Sequence, residues 1–186
     1  YIYKYKLGEN GVLTSIKDPL LARQNPIEYF NSLIVCTKKI LKKIKIKKSN
    51  FNKNQVIGIG IDTTGSSPMP IDKDGQPLAF NKKYKDNLNA YVWLWKDHTS
   101  YKEADLITKI ANKKFPNYLK NIGGKYSSEW FWSKILHLKN IDNNLFNATY
   151  SFVEICDYIP ALLCGNTNPK NLRRSICAAG HKALFN

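Results

Sequence analysis

Residues 62–67 read Asp-Thr-Thr-Gly-Ser-Ser, placing four hydroxyls, a carboxylate and a glycine in six positions. Short side chains of this kind donate and accept hydrogen bonds while leaving backbone amides within reach of a ligand. Val56, Ile57, Ile59 and Ile61 precede them. This apolar run predicts a strand over 55–62 buried on a sheet, with the small residues emerging at its end. A small polar ligand can come close there. By itself the pattern reads more readily as a tight turn holding nothing, so other residues must support a binding reading.

Three further runs carry polar groups next to aromatic ones. Trp95-Lys96-Asp97-His98-Thr99 closes an apolar stretch, Gly124 to Trp132 ends in Ser-Ser-Glu-Trp-Phe-Trp, and Cys177-Ala178-Ala179-Gly180-His181-Lys182 lies near the C-terminus. His98 and His181 have no evident catalytic partner and read as structural. Trp130 and Trp132, two apart on a helix, face different directions, so at most one enters a cleft.

The elements that must position these groups follow from period and punctuation. Residues 1–5 alternate apolar residues with lysine and predict a strand. Asn25-Pro26 predicts a helix start, followed by Ile27, Phe30, Leu33, Ile34, Thr37, Leu41 and Ile44 as an apolar stripe to pack on a sheet. Asp72-Lys73-Asp74-Gly75 predicts a hairpin turn between 69–71 and 78–80. A helix is expected over 101–112, and a second over 129–139 capped by Ser127 or Ser128. A strand over 151–156 leads to a short helix that Asp157 caps and Gly165 ends. A polar loop over 166–174 delivers Ser175-Ile176-Cys177 toward the site.

Composition bounds the function class. A chain of 186 residues with 43% hydrophobic content buries about 70% of its unfolded surface and forms one globular unit. No run of about 18 apolar residues occurs and the N-terminus has no apolar signal segment, so no membrane partner and a cytoplasmic location are expected. The net charge of +15 raises nucleic acid as a partner. All but three of the 29 basic residues are lysines, however, and the only dense run, from Lys38 to Lys48, falls mainly off the apolar stripe. Phosphate and base recognition favours the forked guanidinium, so no nucleic acid is expected. Cys36, Cys156, Cys164 and Cys177 show no metal spacing, and the three histidines complete none. Free thiols and no metal site are expected.

The runs at 58–78, 95–99, 124–132 and 177–182 resemble, in order and approximate spacing, the ribulokinase branch of the FGGY carbohydrate kinases. The resemblance covers nearly the whole chain. It implies an α/β fold of the ribonuclease-H-like, actin/hexokinase type, an incomplete domain with a mixed sheet and flanking helices. Residues 1–186 then correspond to part of the N-terminal, sugar-binding domain, with the C-terminal nucleotide-binding domain and the catalytic base aspartate lying beyond Asn186. The implied activity is ATP-dependent phosphorylation of a ketopentose such as L-ribulose, in L-arabinose catabolism. The full-length protein would use ATP and Mg²⁺, with neither bound by this chain. Homo-oligomerisation stays open. Alternatives are a kinase for another sugar or polyol, xylulose for example, and a non-catalytic sugar-binding module.

The resemblance also places Thr64, Gly65 and Ser66 in the sugar pocket, Gly65 standing where glycerol kinases carry a bulky arginine. A glycine there leaves room for a five-carbon ligand, or else answers a need for positive φ. It makes Lys182 a sugar-contacting lysine, whose ammonium donates to sugar oxygens. It sets Glu129 near a substrate-touching tyrosine of glycerol kinases, the rival reading being a helix N-terminal acid. Trp95 reads as a pocket wall. Asp97 reads as a sugar contact or as a cap for the helix near Tyr101.

Overall fold

The computed structural model describes residues 2–48 and 50–184. Among these residues four short strands form two antiparallel pairs. β1 (Arg23–Gln24) pairs with β3 (Val92–Trp93), and β2 (Pro68–Ile71) with β4 (Ser151–Glu154) in the register Pro68 to Glu154 and Ile71 to Ser151. β2 lies beside β3, so the two pairs adjoin.

Alternation along these strands divides the core between two faces. Met69, Ile71, Val92 and Val153 point to one face, where Phe30 of α1 (Pro26–Lys47) and Tyr158 and Ile159 of α6 (Ile155–Leu163) cover them. Trp93 and Phe152 point to the other, against Leu138 of α4 (Phe131–Ile141) and Leu145 and Phe146 of α5 (Asn143–Ala148). Helices therefore flank a small β layer on both sides, an α/β arrangement. α2 (Tyr101–Lys114) packs on α4, with α3 (Asn117–Lys120) beside it. α7 (Ile176–His181) ends near Ala183, which joins Ala104 and Tyr126 in a third apolar cluster.

Local signals account for the helices. The Asn25 side chain accepts from the Ile27 N–H at 3.0 Å, with Pro26 in the first turn, as the sequence predicts. The stripe of α1 is used only in part: Phe30 reaches the core, while Ile27, Ile34 and Thr37 are exposed. α4 starts two residues later than expected. The Ser127 hydroxyl accepts from the Glu129 N–H at 3.1 Å, within the turn before the helix, and leaves Trp130 as a cap without a side-chain bond. α6 begins at Ile155. Asp157 sits inside its first turn, buried, and its carboxylate accepts from the Ser175 N–H at 2.8 Å, tying α6 to the start of α7. Gly165 follows at φ 67, a helix-ending conformation that glycine adopts freely.

Three expected strands are absent. Residues 2–5 carry no ladder, and Tyr1 lies outside the described residues. Residues 78–80 form a turn of 3₁₀ helix, although the turn at 72–75 holds, with Gly75 at φ 78 and Ile71 bridged to Pro77. The third absence matters most. Residues 56–61 form no ladder with anything among the described residues, and Ile57 and Ile59 are 101% and 70% exposed. An apolar run becomes a buried strand only when a neighbour completes its hydrogen bonds, and no described segment runs alongside. Only Ile61 packs against the core.

Candidate functional site

A cleft of about 250 Å³ opens where β2 begins and β3 and β4 end. Thr64, Gly65 and Ser66 form one wall, Trp95 another, and Glu129, Trp130 and His181 close it. Five residues expected at the site thus come together: Thr64, Gly65, Ser66, Trp95 and Glu129. A larger hollow of about 560 Å³ shares Thr64 and Trp95 and runs between α1 and Ile61, with mostly apolar side chains such as Leu33 and Ile159. The smaller cleft has the polar groups that a hydroxylated ligand requires.

Asp97 and Lys182, the other two expected contacts, do not line the cleft. The Asp97 carboxylate is fully buried, ion-paired with Arg23, and accepts from the Ala22 N–H at 2.7 Å and the Thr99 hydroxyl at 2.6 Å. It caps no helix, since α2 begins after Ser100. Lys182 turns inward. Its Nζ donates to the Ala178 carbonyl at 2.9 Å, stands 3.6 Å from Glu154 Oε1 and lies 4.9 Å from the centroid of the Phe131 ring.

Gly65 is a glycine for a different reason than a left-handed backbone, because its φ is not positive. A Cβ there would stand 2.5 Å from His181 Cδ2, so the missing side chain lets the imidazole close over the wall. The same ring lies 3.4 Å from the Ser66 hydroxyl through Nδ1. His98, by contrast, is tied to the Ser128 hydroxyl at 3.0 Å, away from the cleft.

Beneath the cleft lie charged groups that no sequence motif marks. Lys134, 1% exposed, donates from Nζ to the carbonyls of Ser66 at 2.8 Å and Leu94 at 2.6 Å. Burial first, then the Arg23 guanidinium, pull its pKa down to about 7. Glu154, also 1% exposed, accepts from the Ser67 N–H at 2.7 Å, and burial raises its pKa against the attraction of Lys182 and Lys134. Tyr126 joins the two ends of the site: its hydroxyl donates to the Lys182 carbonyl at 2.8 Å and accepts from the Trp132 N–H at 3.0 Å. One signal for Lys134 was present. It stands three residues after Phe131 and four before Leu138, on the apolar face of its helix, where a cation needs a reason. Among the described residues no group of three or more His, Cys, Asp or Glu is placed to hold a metal ion, and no helix is long and apolar enough to cross a membrane.

Comparisons with known proteins agree with this architecture. The chain is 42% identical over 164 residues to a ribulokinase of Vibrio parahaemolyticus, covering 88% of this chain and 28% of that protein. It is 38% identical over 168 residues to a ribulokinase of Shouchella clausii, covering 90% and 28% respectively. The chain therefore spans a little over a quarter of the length of these relatives. A crystal structure of a xyloylose kinase from Brucella ovis superposes with a TM-score of 0.56 at 17% identity, over 81% of this chain and 27% of that one, a likeness of fold. The pattern of the N-terminal domain of the FGGY carbohydrate kinases matches residues 7–186. With nearly every residue inside that match, the chain belongs to the FGGY family of carbohydrate kinases.

Proposed function

We propose that the whole protein is a ribulokinase, transferring the γ-phosphoryl group of ATP to a terminal hydroxyl of a ketopentose such as L-ribulose, and that this chain is its sugar-binding part. The supporting observation is the cleft itself: hydroxyl-bearing residues, an indole and a carboxylate converge at one end of the β layer in a chain 42% identical to a ribulokinase. Trp95, 47% exposed, offers a flat apolar wall for the carbon skeleton of a sugar. The Glu129 carboxylate and the Thr64 and Ser66 hydroxyls supply acceptors and donors for its hydroxyls. Lys182 acts on the sugar in this reading after turning out from Glu154, and Asp97, fastened to Ala22 and Arg23, anchors the segment that follows Trp95.

Phosphoryl transfer needs a positioned hydroxyl, a base and neutralising charge on the phosphates. The base, ATP and Mg²⁺ belong to the remainder of the protein in this proposal, which acts in the cytoplasm. These 186 residues alone bind sugar weakly and turn over no ATP. The test is a comparison of kcat/KM for L-ribulose, D-xylulose and glycerol with the full-length gene product, alongside ATP consumption by the isolated chain. L-Ribulose should lead by at least tenfold. A lead for D-xylulose would reassign the substrate, and sugar-dependent ATP turnover by the chain alone would overturn the division of labour.

A further inference from the structure

One peptide unit under the cleft is held from both edges. The Ser66 carbonyl accepts from Lys134 Nζ at 2.8 Å, while the N–H of the same peptide, on Ser67, donates to Glu154 Oε2 at 2.7 Å. The two side chains come from different elements, α4 and β4. Ser66 itself has φ 52, a left-handed conformation that a Cβ disfavours. The backbone is thus gripped at the residue where it is least at ease. Turning this peptide over would bring its carbonyl onto the carboxylate and its N–H onto the amine, replacing two attractions with two repulsions. Only one orientation satisfies both partners.

Lys134 also fixes the opposite wall. Its amine donates at 2.6 Å to the carbonyl of Leu94, the residue before Trp95. A single buried nitrogen therefore sets the spacing between the 64–66 turn and the indole.

We infer that Lys134 and Glu154 are positioning residues for the cleft: they clamp the Ser66–Ser67 peptide and thereby hold Thr64, Gly65 and Ser66 against Trp95. The inference rests on the sugar-kinase reading only for what the cleft holds. Two measurements test it on Lys134→Met, Glu154→Gln and the double variant Lys134→Met with Ser66→Gly. The first is hydrogen exchange at the Ser67 amide in the absence of sugar. It should accelerate at least tenfold in both single variants. The second is L-ribulose kinetics of the full-length kinase, where Lys134→Met should raise KM at least tenfold and leave kcat within threefold. Adding Ser66→Gly, which makes the left-handed backbone comfortable without a clamp, should bring Ser67 exchange at least threefold back toward the wild-type rate.

Unchanged Ser67 exchange in both single variants overturns the clamp. Faster exchange with unchanged KM overturns its role in positioning the cleft. If Lys134→Met does not fold, Glu154→Gln, which keeps shape and loses charge, decides the matter by the same two readings. A wild-type protein that does not phosphorylate L-ribulose refutes the substrate reading alone, and the clamp then stands or falls on exchange at Ser67.

Discussion

Lys134 brings an amine into an interior where neither its charge nor its hydrogens are easily accommodated. Its two carbonyl partners use the hydrogens, and both the charged and the neutral amine can donate to them. The charge is the expensive part, so burial and Arg23 lower the pKa to about 7. The sign of the resulting pH dependence follows. Between about 7 and the unfolded value near 10.4, the unfolded chain holds a proton that the folded chain has shed, so stability rises with pH by up to about 1.4 kcal/mol per unit. Glu154 works in the opposite sense, because its raised pKa makes the folded form hold the extra proton above the ordinary carboxylate value. Urea midpoints should therefore increase from pH 7 to pH 9 in the wild type, and Lys134→Met should remove that increase. An equal slope in the variant would show that Lys134 keeps an ordinary pKa.

Asp97 and Arg23 show the same economy between elements. Arg23 lies in β1, its guanidinium carbon 3.3 Å from the centroid of the Trp93 ring in β3, and Asp97 lies in the connection from β3 to α2. The carboxylate also takes the Ala22 N–H, so one side chain fastens the short β1–β3 pair to the segment that follows it. Replacing Asp97 by Ala leaves a buried guanidinium without its counterion and should cost about 3–5 kcal/mol, read as a lower urea midpoint. Adding Arg23→Met should recover most of the loss. If Asp97→Ala alone changes stability by less than about 1 kcal/mol, the pair is not what holds β1.

Elements written in local sequence were legible. Asn25-Pro26, the spacing of α2 and the Phe-Val-Glu run of β4 each declare themselves within a few residues. The apolar run at 56–61 looked equally clear, but its partner had to come from elsewhere, and distant pairing is not written in a strand's own residues. The site divides similarly. Thr64, Gly65 and Ser66 were readable because small polar residues after an apolar run carry meaning by themselves. Lys134 offers only its place on the apolar face of α4, and its carbonyl partners emerge only once the fold sets that helix under Ser66 and Leu94.

The molecule as a whole combines a high positive charge with an exposed apolar ribbon. At +15 copies repel one another at low salt, whereas Val56, Ile57 and Ile59 offer a sticky edge with open backbone groups. The Debye length falls to about 3 Å at 1 M salt, which screens out the repulsion and leaves the edge. Sedimentation velocity should show self-association increasing with salt, and Ile57→Lys with Ile59→Lys should suppress it. Association that instead weakens with salt would point to an electrostatic contact elsewhere on the surface.

The same ribbon has a practical side. At Gly58 and Gly60 an added Cβ would meet no atom within 4 Å, so a cysteine bearing a fluorophore fits at either position without disturbing the packing. Only a few residues separate those positions from Thr64, which puts the dye on the doorstep of the cleft and makes ligand entry visible as a change in emission.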